Sequence, residues 1–211
     1  SSTAALNSGA GLVSACVPGG LRDKLPGQAA EVMTVSPHNA PEYFSEEHAN
    51  FVEQLASVRN AVLLGCGLGV HSQTAVFVKL LTKHLQVPLL IDADGLNNID
   101  ESDLQERLNN TIVTPHPREL SRLCGKSVTE IQENRISTVR RLAQDWNVVL
   151  LLKGANTVIG SPDGQIFINP TGNSALATAG SGDVLSGFII GFLVQGLSPL
   201  NATITGAYMH G

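Results

Sequence analysis

The sequence predicts an α/β protein whose mostly parallel sheet is covered by helices. Six short apolar or β-branched runs alternate with segments of helical periodicity, which is the pattern of a parallel sheet. Two further runs flank the turn "SPDG" and predict a short antiparallel hairpin at the sheet edge. With 211 residues, of which 43% are hydrophobic, the chain can bury the core of one large domain.

The strands, in chain order, are predicted over 11–17, 31–35, 61–64, 88–91, 111–114 and 148–152, with the hairpin over 157–159 and 165–168. Helical periodicity covers 46–58, 72–85, 128–146, 183–194 and the segment from 199 onward. In open α/β sheets, ligands bind beyond the carboxyl ends of the strands. Those positions carry "GCGLG", "DADGLN", "TPHPREL", "KGANT", "NPTGN" and "AGSGD", so we expect one functional rim.

Composition excludes several classes of function. A net charge of −5 and scattered basic residues argue against nucleic acid as a partner. The three cysteines are far apart and predict neither a disulfide framework nor a zinc site, which fits a reducing cytoplasm. The longest apolar run, 184–197, is too short to span a bilayer, so we expect no membrane partner. Because the chain starts without methionine and stops inside a predicted helix, we expect a single domain over 1–211 that is truncated at both ends.

The stretch "AGSGDVLSG" predicts a phosphate site. Glycines allow a tight turn that exposes N–H groups, and the following helix adds its positive dipole end. Asp183, in the first turn of that helix, is placed to deprotonate a hydroxyl that attacks a phosphoryl group. The alternative is an ordinary acid near a helix start, with Ser181 as the cap, which stabilises the helix by up to about 1 kcal/mol.

Other strand ends carry weaker signals. Lys153 stands at the end of an apolar strand, where a buried ammonium needs an anionic partner. Because the glycine motif is nearby, we interpret this partner as phosphate. The alternative is that the Lys153 side chain extends to solvent. His116 stands between two prolines that fix its direction, although lone histidines are more often structural. Asp92 and Asp94 either bind water or magnesium or cap a turn. "GCGLG" is a poor dinucleotide fingerprint, and we interpret Cys66 as a core residue.

The succession "GCGLG", "DADGLN", "TPHPREL", "LLKGANTVI", "NPTGNSALATAGSGDVLSG" and "AYMHG" resembles, in order and spacing, the ADP- or ATP-dependent NAD(P)H-hydrate dehydratases of the ribokinase-like superfamily. The resemblance runs from about residue 9 to the last residue. It implies a three-layer α/β/α fold and a hydro-lyase that repairs nicotinamide cofactors. Such an enzyme converts NADHX or NADPHX to NADH or NADPH, with hydrolysis of ADP or ATP and with Mg²⁺ present.

The resemblance also implies roles for individual residues. Asp183 matches the catalytic acid, acting as general base on the substrate hydroxyl while the backbone of 180–182 holds the phosphoryl group. The substrate site comprises Gly65, Gly67, His116 and Asp183, and the nucleotide site comprises Lys153, Gly154, Ala155, Asn156, Thr157, Asn173, Gly180 and Gly182. No protein ligands of a metal are assigned, and a homo-oligomer is expected. The chain departs from the family pattern at Cys66, where proline is usual, and at Arg118, where glycine is usual.

Two other functions remain open from the sequence. A small-molecule kinase of the same superfamily, acting on a vitamin or a sugar alcohol, would use the same glycine-acid motif but release a stable phosphate ester. A catalytically silent module that senses adenine nucleotides would not need Asp183 beside the phosphate site. The chemical identity of the product discriminates the first alternative, and the effect of Asp183→Asn on turnover discriminates the second.

Overall fold

A computed structural model describes residues 1–24, 29–37 and 42–211 of the chain. The main sheet has six strands in the order of the chain, β3 to β8, and the first two strands, β1 and β2, pair with each other in a separate two-stranded parallel sheet. The strands are β1 (Val13–Cys16), β2 (Val32–Val35), β3 (Val62–Leu64), β4 (Leu89–Ile91), β5 (Thr111–Val113), β6 (Val149–Leu152), β7 (Val158–Gly160) and β8 (Ile166–Ile168).

The described helices include the longer ones that the periodicity predicts and several short ones. They are α1 (Ser2–Asn7), α2 (Ala49–Ser57), α3 (Ser72–His84), α4 (Asp94–Asn97), α5 (Glu101–Gln105), α6 (Pro117–Cys124), α7 (Val128–Glu133), α8 (Arg135–Asp145), α9 (Ser181–Val194) and α10 (Pro199–His210). Short 3₁₀ turns cover Gly19–Lys24, Glu46–His48 and Ser174–Leu176. Among the described residues, none of the helices combines the length and apolar character needed to cross a lipid bilayer.

The predicted three-layer arrangement is confirmed by the core, which has one cluster on each face of the main sheet. Residues at alternate positions of a strand point to opposite faces, so Leu89 and Ile91 pack with α2, α3, α6, α7 and α8, whereas Leu90 packs with α1, α9 and α10. The central strands are buried on both faces, which explains their continuous apolar runs. Strands β1 and β2 are only half-buried for the most part, and they do not join the main sheet as the simple alternation suggested.

The predicted rim is also present. Strands β3 to β6 are parallel, and β7 pairs antiparallel with both β6 and β8, so the segments after β3, β4, β5, β6 and β8 leave the sheet at one edge. The "SPDG" turn of the predicted hairpin closes with a hydrogen bond from the Gly164 N–H to the Ser161 carbonyl at 2.9 Å. The sheet therefore gathers five of the motif-bearing segments on one side.

One predicted helix is interrupted. The segment 128–146 forms two helices that meet at Asn134, whose backbone leaves the helical region at φ −127° and ψ 37°. The Asn134 side-chain amide donates to the Glu130 carbonyl at 3.2 Å, and such local bonds compete with the helical pattern.

Candidate active site

The glycine-rich turn leads directly into helix α9, as predicted. Gly180 adopts the left-handed conformation at φ 84°, and the helix begins at Ser181 with Asp183, half-buried, in its first turn. The first N–H groups of a helix have no acceptor within the helix and point outward along its axis. This end of α9 can therefore receive an anion, with the Asp183 carboxylate beside it.

Lys153, which follows β6, is held by Asp92, which follows β4. The Lys153 ammonium lies 2.5 Å from Asp92 Oδ1, and the Ser186 hydroxyl of α9 donates to Asp92 Oδ2 at 2.6 Å. The Asp92 side chain is 1% exposed, whereas that of Lys153 is 21% exposed. The anionic partner that the sequence required for Lys153 is thus a carboxylate of the chain itself, although the lysine side chain stays partly exposed.

Gly182 brings α9 close to this ion pair. A Cβ atom at Gly182 would lie 3.2 Å from Lys153 Nζ and 3.9 Å from Asp92 Oδ2. The lysine ammonium therefore lies directly against the glycine turn. A phosphate bound at the N-terminus of α9 would meet both the backbone N–H groups and the Lys153 charge.

The "GCGLG" turn packs against the end of β4. Gly65 has φ +128°, and a Cβ there would stand 1.9 Å from the Asp92 carbonyl oxygen, so only glycine fits. Further along the turn, the Gly69 N–H donates to Asp94 Oδ2 at 2.8 Å, so Asp94 has the turn-fixing role that was one of its two predicted alternatives. Ala93, between the two acids, has φ 49°, an uncommon conformation outside glycine that is often found at functional sites.

Cys66 is not simply a core residue, as the sequence suggested. Its side chain is half-buried, and its Sγ lies in one group with Asp92 and Asp183, whose ligating atoms are all within 4.8 Å of one another. Burial, followed by the charges of Asp183 and Asp92 and a hydrogen bond to Asp183, raises the pKa of the Cys66 thiol to about 12. The thiol therefore remains protonated beside the two carboxylates.

His116 is the N-cap of α6. Its Nδ1 accepts from the Arg118 and Glu119 N–H groups at 3.1 and 3.2 Å, and the Glu119 carboxylate accepts from the His116 N–H at 2.7 Å. The structural role that lone histidines more often have is therefore confirmed for His116 Nδ1, which caps a helix. The predicted contact of His116 with substrate stays a prediction. The "TPHP" and "KGANT" segments meet here, because the Lys153 N–H donates to the Pro115 carbonyl at 3.0 Å.

The remaining predicted nucleotide residues line two turns. In the segment 154–157, Gly154 and Asn156 have positive φ angles and the Thr157 hydroxyl donates to the Gly154 carbonyl at 3.0 Å. Asn173 uses its side-chain oxygen to accept from the Ala175 N–H at 2.9 Å, which caps a short 3₁₀ turn. Binding of nucleotide by these exposed turns stays a prediction.

Three polar residues near the rim were missed from the sequence. Glu119 is buried, and burial raises its pKa; its position three residues after His116 is the capping-box signal that could have shown it. Arg135 donates to the Leu152 and Lys153 carbonyls at 3.1 and 3.4 Å, beneath Gly154. His210, from "AYMHG", lies 3.1 Å from the Ser181 hydroxyl through Nε2, and burial lowers its pKa.

Solved structures define the class to which this fold and site belong. A ribokinase-like superfamily protein from Enterococcus faecalis matches with a TM-score of 0.80 at 27% identity, over 99% of this chain and 70% of that one. Phosphofructokinase-2 from Escherichia coli shares the fold alone, with a TM-score of 0.65 at 14% identity, over 97% of this chain and 77% of that one. The protein thus has a ribokinase-like fold with a glycine-acid turn at the strand ends.

The chain belongs to the NAD(P)H-hydrate dehydratase family, whose model matches residues 1–211. It is similar to a bifunctional NAD(P)H-hydrate repair enzyme of Moorella thermoacetica, at 46% identity over 99% of this chain and 40% of that protein. It is also similar to an ADP-dependent (S)-NAD(P)H-hydrate dehydratase of Neisseria meningitidis, at 40% identity over 72% of this chain and 53% of that protein. The chain spans about half or less of the length of these two relatives.

A protein co-crystallised with a nucleotide is among the similar ones. The ADP/ATP-dependent NAD(P)H-hydrate dehydratase of Bacillus subtilis, co-crystallised with ATP and Mg²⁺, matches with a TM-score of 0.80 at 28% identity. The match covers 99% of this chain and 71% of that one.

Proposed function

We propose that this protein dehydrates NADHX and NADPHX, the hydrated forms of NADH and NADPH, and consumes ADP or ATP in doing so. The observation that carries the proposal is the position of Asp183, in the first turn of α9 beside the Asp92–Lys153 pair. Family membership and the dehydratase from Neisseria meningitidis support the choice of substrate. The protein co-crystallised with ATP and Mg²⁺ supports the choice of nucleotide.

The terminal phosphoryl group of the nucleotide binds at the glycine turn. The N–H groups of Gly180 and Gly182 face its oxygens, and Lys153 adds a full positive charge next to Gly182. The rest of the nucleotide runs along the turn that contains Gly154, Ala155, Asn156 and Thr157, with Asn173 opposite. The hydrated nicotinamide enters from the side of Gly65, Gly67 and His116, so that its hydroxyl reaches Asp183.

The chemistry then follows in two steps. Asp183 accepts the proton of the ring hydroxyl as the hydroxyl oxygen bonds to phosphorus and AMP or ADP leaves. The carbon–oxygen bond of the phosphate ester then breaks, inorganic phosphate departs, and the neighbouring ring carbon loses a proton to restore the double bond. Lys153 and the N–H groups offset the charge on the transferred oxygens in the first step.

The donor set of the site fits Mg²⁺ through its oxygens. Asp92 and Asp183 offer the carboxylate groups that Mg²⁺ prefers, whereas the third donor, Cys66, is a thiol, which Mg²⁺ avoids. These two carboxylates would hold the ion through its water shell together with phosphate oxygens. Once bound, the ion supplies positive charge to the phosphate groups.

The direct test is to mix the protein with NADHX, Mg²⁺ and either ADP or ATP and to follow the near-ultraviolet absorbance of reduced nicotinamide. We expect a nucleotide-dependent rise that slows by about 10²- to 10⁴-fold in Asp183→Asn, because the general base is lost. Asp163→Asn, in the exposed hairpin turn, is the matched control and should retain the rate. Undiminished turnover in Asp183→Asn would refute the proposed role, and a stable phosphorylated alcohol as product would identify a kinase instead.

A further inference from the structure

We propose that Cys66, Asp92 and Asp183 form a binding site for a thiophilic divalent cation such as Zn²⁺ or Cd²⁺. The Cys66 sulfur and one carboxylate oxygen from each acid lie within 4.8 Å of one another. The three donors come from three different elements, the turn after β3, the end of β4 and the first turn of α9. In the described part of the chain, this is the one group of three such donors found close enough to share an ion.

The backbone holds the three donors in place without a metal. Gly65 packs so closely on the Asp92 carbonyl that a Cβ would stand 1.9 Å from it, which fixes the turn that carries Cys66 against the end of β4. The Ser186 hydroxyl holds the Asp92 carboxylate at 2.6 Å from within α9, the helix that also carries Asp183. The spacing of the donors is therefore set by packing, so little ordering is left for an ion to impose.

The charge around this cluster favours a cation. Two carboxylates face a neutral thiol, Lys153 contacts Asp92 from one side, and Ser1 hydrogen-bonds the Cys66 thiol. A divalent ion would displace the thiol proton to solvent and form a bond to the resulting thiolate, releasing one proton for each ion bound. The two charges of the ion then offset two of the three negative charges of the thiolate and the two carboxylates, and the Lys153 ammonium at Asp92 offsets the third.

The thiol decides which ions fit. A thiolate favours Zn²⁺ and Cd²⁺ over Mg²⁺, which takes oxygen ligands in an octahedron. One sulfur and two carboxylate oxygens supply three corners of a tetrahedron and leave the fourth for water. Binding of such an ion would occupy Asp183 and block its role as base. This inhibition, unlike the site, rests on the proposed function.

The test is a titration of the whole chain with Cd²⁺, without nucleotide or substrate, that follows the ultraviolet charge-transfer band of a cadmium–thiolate bond. We expect the band to saturate at one ion per chain and to survive a large excess of Mg²⁺. Cys66→Ser should abolish it, and Cys124→Ser, a change in another half-buried cysteine, should leave it intact. Asp183→Asn keeps the sulfur and should weaken Cd²⁺ binding by at least about tenfold, since even partners of metal ligands contribute that much.

Two results would overturn the site. One is a cadmium–thiolate band that persists in Cys66→Ser. The other is unchanged affinity in both Asp92→Asn and Asp183→Asn, which would mean that the thiol binds alone. Circular dichroism of each variant establishes folding, and because two variants keep Cys66, the test stands even if Cys66→Ser does not fold. None of these readouts needs turnover, so failure of the metal site and failure of the dehydratase proposal are separate results.

Discussion

The ion pair between Asp92 and Lys153 allows a double-mutant test of how the site is held together. The changes are Asp92→Asn, Lys153→Met and the two combined. Lys153→Met leaves a carboxylate that is 1% exposed without its ammonium partner. Asp92→Asn leaves the ammonium of a lysine whose side chain is 21% exposed, so it is less costly to leave without a partner. We therefore expect the lysine change to destabilise the fold more than the aspartate change.

The magnitudes follow from the geometry. At 2.5 Å, and with an effective dielectric constant of about 20, the attraction between the two charges is roughly 7 kcal/mol. Removal of the buried carboxylate from water offsets several kcal/mol of this. We expect Lys153→Met to lower the free energy of unfolding by about 3–5 kcal/mol and Asp92→Asn to lower it by about 1–3 kcal/mol. The loss in the double variant should be smaller than the sum of the two single losses by about 1–3 kcal/mol, because each single change already removes the whole interaction.

The assay is urea denaturation followed by fluorescence of the single tryptophan, Trp146, which is 1% exposed in the fold. Each unfolding curve gives a free energy, and the four proteins complete the cycle. If the two losses add within about 0.5 kcal/mol, the residues are not coupled and the argument from the 2.5 Å contact fails. A larger loss for Asp92→Asn than for Lys153→Met would contradict the assignment of the carboxylate as the more costly group to leave unpaired.

Three further perturbations test the surrounding turns. Gly65→Ala should lower the free energy of unfolding by more than about 3 kcal/mol, because its Cβ would overlap the Asp92 carbonyl, as measured by urea denaturation. Gly67→Ala, at φ +68° with open space around it, should lower it by only about 1–2 kcal/mol. His116→Ala should cost about 0.5–2 kcal/mol through loss of the α6 cap, measured in the same way. Burial lowers the pKa of His210 from its ordinary 6.5, so the unfolded chain binds more protons just below that pH. The free energy of unfolding should therefore rise with pH just below 6.5. Urea midpoints measured across this pH range should show the rise, and His210→Gln should make it smaller.

Each of these expectations has a contrary result. Equal losses for the two glycine variants would show that the close contact at Gly65 relaxes at little cost. Full stability of His116→Ala, or failure of His116→Asn to restore part of any loss, would remove the capping role. Stability that falls with pH across the His210 window would contradict the sign of the linkage, and an unchanged slope in His210→Gln would assign the effect to another group.

The longer elements were predictable because their patterns are local. The runs that became β4, β5 and β6 are buried on both faces and read as continuous apolar segments, and α9 follows directly from a glycine turn and an acid. Short helices such as α4 and α5 escape periodicity because they contain only four and five residues. The helical periodicity also continues through Asn134, where the backbone leaves the helical region and divides the predicted helix in two.

The site was predictable as a set of residues but not as a set of contacts. Lys153 and Asp183 are recognisable in the sequence because one follows an apolar strand and the other begins an apolar helix. A charged side chain in such a position is costly unless it has a partner or a function. Their neighbours depend on tertiary packing: Asp92 is 61 residues from Lys153, and His210 is 29 residues from Ser181. Cys66 read as a core residue because its sequence neighbours are apolar, and only the fold places two carboxylates beside its sulfur.

The strand order of the main sheet, β3 to β8 as in the chain, has a consequence for synthesis. Each new strand finds its partner already made, so the sheet can grow from one edge as the chain leaves the ribosome. The glycine turn and Asp183 are made only afterwards, at the start of α9, followed by α10. A nascent chain can therefore pair its strands before the glycine turn is made, but Leu90, Ile112 and Leu151 on one face of the sheet stay uncovered until α9 and α10 arrive. The same two helices thus complete the core and bring Asp183 to the rim, so an incomplete product would lack both.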